Sequence, residues 1–472
     1  MLKLLIKNLL IVSLMLMALT GMVKAGDSLA AYKGAWYGKM QIPNGPELRI
    51  GVEIFQKADR SWGGNVASLD QGARYIPVSH VTYESREITI KLAGVPVSIK
   101  GTGNEDYTKI TAEFIQGGSA FALTLDKVEA LPDIERPQTP KNPVSYTVQE
   151  VSIANKKDNV WLAGTLTLPE KKGPFPAVLL IPGSGPNQRD SYFSGHRSFK
   201  VIADYLSLQG FAVLRMDKRG VFKSTGDFRT ADIEDFVADG QAALDYLKTH
   251  QDVKKEALHI IGHSEGSLIA AKLAATSGLV SLVSMGGPGM SIYDILVLQD
   301  QTEPAAKGAP AHALPYLKAF SEKFYDLVLT TQSEEERLKL LLNLYNSLEG
   351  EEKAVINTWV KRTGTLNPQN AAQETFRNFL KGNPLLDWAK VKKPVLIMNG
   401  SKDSQVPAKE NVEGIYKVLG GAKYGAVKRI FPDLNHMFQT AKTGDTNEYG
   451  EIDETISPQV LIALSSWLTH HQ

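Results

Sequence analysis

Leu258-His259-Ile260-Ile261-Gly262-His263-Ser264-Glu265-Gly266-Ser267-Leu268-Ile269-Ala270-Ala271-Lys272-Leu273-Ala274 is the stretch on which the reading of this chain turns. A short apolar run of strand type leads into Gly262-His263-Ser264-Glu265-Gly266, and a run of helix formers follows. A G-x-S-x-G pattern between strand and helix reads as a nucleophile elbow. A serine hydroxyl is a poor nucleophile until a base takes its proton. A sharp turn lifts that hydroxyl clear of the sheet, where a histidine and a carbonyl substrate can both reach it. A Cβ at either flanking position would crowd the backbone, so glycine is required there.

A serine nucleophile needs a base and an acid that orients the base. The acid candidate is Asp403, in Pro394-Val395-Leu396-Ile397-Met398-Asn399-Gly400-Ser401-Lys402-Asp403. An apolar strand ends at Gly400 and Asp403 sits in the loop beyond it. Ligands and catalytic groups of open α/β sheets gather at such carboxyl ends. The competing reading is a turn aspartate bonding its own backbone. Asp387 and Asp433 are nearby rivals, but neither directly follows a strand. The base candidate is His436, after the strand-like Ala426-Val427-Lys428-Arg429-Ile430-Phe431. It is one of nine histidines. His470 and His471 lie in the tail, His250 ends a helix, His259 lies inside a strand and His80 lies in another domain. His196 and His312 fall in loops or insertions, and His263, beside the serine, is expected to point elsewhere.

Acyl chemistry also needs two backbone N–H groups aimed at the oxygen that becomes charged. Glu265, directly after the serine, supplies one. The second falls to the loop Pro182-Gly183-Ser184-Gly185-Pro186, which follows the strand Ala177-Val178-Leu179-Leu180-Ile181, and its candidate donor is Ser184. Other readings of the glycines fail. The run Gly183-Ser184-Gly185-Pro186-Asn187-Gln188 lacks the third glycine of a dinucleotide fingerprint, and Gly220-Val221-Phe222-Lys223-Ser224-Thr225 has no glycine before Lys223 as a phosphate loop requires. The chain has no H-E-x-x-H pattern, which excludes that class of zinc site.

With these pieces in place, residues 144–472 resemble an α/β-hydrolase of the serine aminopeptidase-like and carboxylesterase group, close to secreted bacterial esterases with an added N-terminal domain. The matching stretches are Gly183 to Asp190, Leu214-Arg215-Met216-Asp217-Lys218-Arg219-Gly220, the elbow, the segment from Gly400 to Pro407, Leu434-Asn435-His436, and Glu454-Thr455-Ile456-Ser457-Pro458. Serine, acid and base follow in that family's order. The resemblance implies hydrolysis of small carboxylic esters without a cofactor or metal. Phe222 and Ser267 depart from it, since such proteins carry small glycines at both places, and Pro182-Gly183 stands where many carry His-Gly. A peptidase on the same serine, acid and base is the alternative activity. Large exopeptidases of this fold often carry a propeller, and no blade repeat is present here. A binding protein with an inactive hydrolase domain is the other reading, and an intact Ser264, Asp403 and His436 argue against it.

Alternating strands and helices around the elbow predict a mostly parallel sheet: strand 177–181, helix 198–209, strand 212–216, helix 232–249, strand 258–262 and strand 280–285. Two β runs, 146–154 and 160–168, form an edge hairpin before them. Asp217-Lys218-Arg219-Gly220 is expected to brace loops beneath the site, with no direct chemical role for Arg219. A long insertion, about 290–388, contains helical runs at 333–348 and 351–361 and reads as a lid. A helix at 458–468 closes the domain.

Residues 27–130 alternate apolar and polar residues with period two. Leu48, Ile50, Val52 and Ile54 form one such row, and Ile88, Ile90 and Leu92 another, with Asn, Gly and Asp turns between rows. This predicts a small antiparallel sheet, half-barrel or barrel. Its opening, Gly34-Ala35-Trp36-Tyr37-Gly38, resembles the first strand of lipocalin-like domains. Trp36 and Trp62 are expected to fill its core. Residues 131–143 hold four prolines and read as an extended linker. Residues 1–25 combine Lys3 and Lys7 with an apolar stretch and a small-residue Val23-Lys24-Ala25 site, a secretory signal peptide. The apolar stretch is short for a span of about 20 residues, so export to the periplasm or the exterior is expected rather than anchoring. The chain contains no cysteine, which removes disulfides, a thiol nucleophile and lipid attachment at cysteine. Formal net charge is +1 without a basic block, so nucleic acid has no electrostatic footprint to bind. At 472 residues, more than one domain is expected.

Overall fold

The computed structural model describes residues 29–472 apart from 44, 72, 85 and 361–363. The described residues divide into two compact units. One runs to Asp133 and takes in Val160–Ala163 and Arg219–Arg229. The other comprises Ile134–Asn159, Gly164–Lys218 and Thr230–Gln472. The signal-peptide expectation for residues 1–25 lies outside the described residues.

The first unit is a closed antiparallel barrel of eight strands: β1 (Gly34–Gln41), β2 (Glu47–Gln56), β3 (Trp62–Ser68), β4 (Ala73–Glu84), β5 (Glu87–Leu92), β6 (Val97–Gly103), β7 (Lys109–Gln116) and β8 (Ser119–Val128). Strand β1 closes it by pairing with both neighbours, Trp36 opposite Val52 of β2 and opposite Lys127 of β8. The period-two rows point inward. Ile50, Val52, Ile54, Ile88, Ile90, Ile99 and Leu125 form one core with Trp36, which is fully buried. Trp36 donates its indole N–H to the Tyr32 carbonyl at 2.7 Å, and the Tyr32 hydroxyl accepts from the Gly103 N–H at 2.8 Å. Trp62 packs against the same core. The aromatics therefore fill the barrel, as expected. Strand β3 was not legible as Trp62-Gly63-Gly64-Asn65-Val66-Ala67-Ser68. Its glycines hide the alternation, yet Gly64 is needed because a Cβ there would sit 2.5 Å from the Glu53 carbonyl of β2.

The second unit is built on an eight-stranded sheet. Its elements are β9 (Thr147–Asn155), β10 (Val160–Leu168), β11 (Phe175–Ile181), the short pair β12 (Tyr192–Phe193) and β13 (His196–Arg197), α1 (Ser198–Leu208), β14 (Ala212–Met216), α2 (Ile233–Thr249), β15 (Val253–His263), α3 (Glu265–Thr276) and β16 (Ser281–Met285). After an insertion come β17 (Val395–Gly400), α11 (Ala408–Val418), β18 (Ala426–Phe431) and α12 (Pro458–His470). Strand order is β18-β17-β16-β15-β11-β14-β10-β9. From β14 to β18 all pairings are parallel, and β10 runs antiparallel to β14. The central parallel strands β11, β16 and β17 are buried almost throughout because both faces are covered, whereas the edge strand β18 is largely exposed. Helices α1 and α12 cover one face, where Phe199, Ile202, Leu206, Val460 and Leu464 pack on Val178, Val213, Ile261 and Met398. Helix α2 starts where Asp232 and Asp235 form a reciprocal capping box.

The segment read as a linker is docked rather than free from Arg136 onward. The Arg136 guanidinium, buried, donates to the carbonyls of Ser194, Gly450 and Ile452. The Gln138 side chain accepts from the N–H of Thr455 and Ile456 and donates to the Ile456 carbonyl.

The insertion contributes α4 (Ile292–Ala306), α5 (Leu314–Thr330), α6 (Glu334–Asn346), α7 (Gly350–Trp359), α8 (Pro368–Ala371), α9 (Glu374–Leu380) and α10 (Leu385–Trp388). It has a core of its own around Leu317, Phe320, Phe324, Tyr325, Leu341 and Ile356. Within it, the Asp300 carboxylate accepts from the Tyr325 hydroxyl at 2.8 Å. Burial pushes this carboxyl up to about 7, against weaker lowering by hydrogen bonds from Ser321 and Tyr325. A raised folded-state value means that the folded chain holds a proton the unfolded chain releases near pH ~4. Stability from this group is therefore full at acid pH and lost as pH rises towards 7. Asp300→Asn, which stays neutral, is expected to melt higher than wild type at pH 8, with the difference narrowing steadily as pH falls and closing near pH ~4. Parallel melting profiles across that range would refute the assignment.

Candidate active site

Ser264 follows β15, the Pro182–Gly185 turn follows β11, Asp403 follows β17 and His436 follows β18, so the parallel sheet brings all four to one edge. The elbow is backbone geometry before it is chemistry. Ser264 has φ 54° and ψ −122°, a conformation that a non-glycine residue adopts only when its surroundings impose it. Those surroundings are explicit. A Cβ at Gly262 would lie 2.3 Å from the Gly266 carbonyl, and one at Gly266 would lie 2.2 Å from the Ile181 carbonyl. The two glycines thus let the start of α3 press against the end of β11. The Ser264 N–H is held by the Met285 carbonyl at 2.8 Å, and the Ser267 hydroxyl donates to the Gly262 carbonyl at 2.8 Å. Ser267, one of the departures from the family pattern, is wholly buried and braces the turn from inside. Phe222, the other, falls in the first unit, has a positive φ of 47°, and its ring lies 4.9 Å from that of Phe55 in the same unit.

Asp403 and His436 are both buried and meet through Asp403 Oδ2 and His436 Nδ1 at 2.7 Å. The other carboxylate oxygen, Oδ1, accepts the N–H groups of Gln405 and Val406 at 2.9 and 2.8 Å. An ionised carboxylate only accepts, so Nδ1 carries the proton and Nε2 is left as the basic nitrogen. The loop under His436 is shaped by Asn435, whose Oδ1 accepts from Met437 and Gln439. Gly286, with φ +58°, lies beneath the pair. A Cβ there would stand 3.2 Å from the His436 ring and 3.5 Å from Asp403 Oδ2. The rival acids are engaged elsewhere, Asp433 with Lys402 and Asp387 with Lys272 and Lys390. His259 hydrogen-bonds Ser281, and His196 hydrogen-bonds Thr455 and the Tyr449 carbonyl.

His263 does not turn away from the site. Its Nε2 lies 3.0 Å from the His436 carbonyl, and the two rings are 4.8 Å apart. Burial, with a smaller contribution from His436, pushes its proton affinity down to about 3, so the ring is neutral and donates. Adjacency to the serine in sequence concealed this, because the contact spans 173 positions.

The turn after β11 lies against the serine: a Cβ at Gly183 would come 3.1 Å from Ser264 Cβ. Among the described residues, neither the Ser184 nor the Glu265 amide N–H is taken by a protein acceptor. The brace expected of Asp217 and Lys218 is present. Asp217 accepts from the Arg189 backbone and guanidinium, and Lys218 Nζ donates to the Gly183 carbonyl at 2.7 Å and to Glu265 Oε1 at 2.9 Å. Arg219 falls in the first unit. Helix α4 reaches the acid's loop, where the Thr302 hydroxyl donates to the Ser404 carbonyl at 2.6 Å. Among the described residues no cluster of histidine and carboxylate side chains suits a metal ion, and no helix is long and apolar enough to cross a membrane.

Comparison with known proteins agrees with this architecture. Residues 178–444 match the alpha/beta hydrolase family, and the chain belongs to that family. Esterase EstD of Thermotoga maritima is 25% identical over 422 residues, covering 88% of each chain. Acyl-coenzyme A thioesterase 1 of Mus musculus is 26% identical over 141 residues, 30% of each chain. Among solved structures, the esterase Pf2001 of Pyrococcus furiosus covers 72% of this chain and 98% of its own, at 16% identity and a TM-score of 0.40. The family match and the strand order make this the α/β-hydrolase fold with a helical insertion, accompanied by an antiparallel barrel.

Proposed function

We propose that the protein is a serine esterase in which Ser264, His436 and Asp403 act as nucleophile, base and orienting acid. The observation that carries this reading is the buried Asp403–His436 pair at the sheet edge where Ser264 sits in its strained turn. Ser264 Oγ attacks the ester carbonyl carbon while His436 Nε2 takes its proton. The oxyanion forms against the N–H groups of Ser184 and Glu265. The intermediate collapses, the alcohol leaves with the proton from His436, and the acyl group remains on Ser264. Water, deprotonated by the same imidazole, releases the acid. An ester rather than a peptide substrate is supported by the esterase relative that this chain matches over most of its length. A fluorophosphonate, from which Ser264 Oγ displaces fluoride, is the direct test. Peptide mapping should place the label on Ser264, with p-nitrophenyl acetate turned over and aminoacyl anilides left intact. Labelling elsewhere, or faster anilide cleavage, would overturn the reading.

The barrel supplies no member of this set. A chain beginning at Ile134 should therefore retain turnover of p-nitrophenyl acetate. One beginning at Asn142 loses Arg136 and Gln138 and should melt lower, since a buried charge-assisted hydrogen bond contributes on the order of 1.5–3 kcal/mol. An inactive but folded chain from Ile134 would show that the barrel contributes to catalysis. Export is proposed on residues 1–25 alone, and N-terminal sequencing of the mature protein should begin near residue 26.

A further inference from the structure

We infer that Lys218 is a positioning residue of the oxyanion hole, holding the peptide that presents the Ser184 N–H and anchoring the residue that presents the other. This rests on the proposed serine-esterase reading and deepens it. The Gly183 carbonyl and the Ser184 N–H belong to one planar trans peptide and point in opposite directions. Fixing the carbonyl therefore fixes the N–H. Two donors fix it: Lys218 Nζ at 2.7 Å and Asn187 Nδ2 at 3.0 Å. Asn187 Nδ2 also reaches the carbonyls of Ser184 and Gly185, at 2.7 and 3.2 Å, so the whole turn is gathered on one side.

The second hold of Lys218 is on Glu265, whose carboxylate it meets at 2.9 Å. Glu265 opens α3, and its own N–H is the other candidate donor. One ammonium thus ties both halves of the hole together across residues that are 82 positions apart (183 and 265). The ammonium is nearly buried, with 5% of the side chain exposed, and lies 4.6 Å from the centre of the Phe236 ring. Its backbone N–H is fixed to the Asn187 carbonyl at 3.1 Å, so the strand end, the turn and the side chain form one rigid unit. A cation hydrogen-bonded to a peptide carbonyl also polarises that peptide and strengthens its N–H as a donor. This matters only when charge develops on the substrate oxygen, so the effect belongs to the transition state.

The test uses the full chain with Lys218→Met, Lys218→Met combined with Glu265→Gln so that no carboxylate is left unpaired, and Asn187→Ala. Turnover of p-nitrophenyl acetate and inhibition by a trifluoromethyl ketone, which binds serine as a tetrahedral oxyanion, are read side by side. Loss of one oxyanion donor costs about 100- to 1,000-fold in kcat. We expect Lys218→Met to lose about 100-fold in kcat with little change in KM, and the ketone to weaken by a similar factor. Asn187→Ala should show the same pattern at smaller amplitude. A purely structural brace would lower the melting temperature while moving ketone and substrate affinity together. That result, or folded Lys218 variants with wild-type kcat and ketone affinity, overturns the inference. Should Lys218→Met not fold, Asn187→Ala decides alone: unchanged kcat and ketone affinity refute it. Because fluorophosphonate labelling of Ser264 is scored separately, failure of this inference is distinct from failure of the esterase reading.

Discussion

Ser264→Ala is expected to abolish hydrolysis of p-nitrophenyl acetate, with a loss in kcat on the order of a million-fold, while the melting temperature is held or raised. Members of such a set act as a unit, so removing the nucleophile removes the contribution of His436 and Asp403 as well. The structural consequence is small. Ser264 is held through its N–H to the Met285 carbonyl, a bond that alanine keeps. The unusual φ of 54° remains imposed by the surroundings of Gly262 and Gly266. A Ser264→Ala protein with unchanged turnover, free of contaminating esterase, would remove the serine from the mechanism.

Asp403→Asn should lower kcat by on the order of 10,000-fold without unfolding the protein. The orientation of the new amide is dictated by the structure. Two backbone N–H groups, from Gln405 and Val406, point at Oδ1, so the amide oxygen must occupy that position. The amide NH2 then faces His436 Nδ1 in place of the carboxylate oxygen. Nδ1 becomes an acceptor, the ring proton moves to Nε2, and the imidazole can no longer take a proton from Ser264. In the wild type, kcat/KM should fall on the acid side, because a general base that already holds a proton cannot take one from the nucleophile. His263 contributes nothing to that limb, because its proton affinity, pushed down to about 3, leaves it neutral throughout. A profile without an acid limb, together with an active Asp403→Asn enzyme, would assign the base and acid to other residues.

What is legible in the sequence of this chain is local. The elbow was legible because its steric demand falls on two glycines that flank the serine within five residues. The candidate acid and base, Asp403 and His436, were picked out because each follows a strand in an order the chain displays directly, and the structure brings the two into hydrogen-bonding contact. The barrel strands with clean alternation, such as β2 and β5, were legible for the same reason, whereas β3 and β6 carry glycines where strands approach closely and lose the pattern. Asp217 and Lys218 were recognised as a brace, but not what they brace.

The sequence by itself determined the candidates for chemistry, Ser264, Asp403 and His436, each placed after a strand run, and the period-two domain that precedes them. Tertiary structure alone decided which groups surround them. His263 reaches the His436 carbonyl across 173 positions, Gly286 makes room beneath the Asp403–His436 pair, and Arg136 stitches the supposed linker to carbonyls more than 300 positions away. The barrel closes only because β1 meets β8. Periodicity reports which face of an element is apolar, and a motif reports a local turn. Neither reports the partner a side chain finds when distant segments pack, and it is those partners that set protonation, orientation and the direction of each donor.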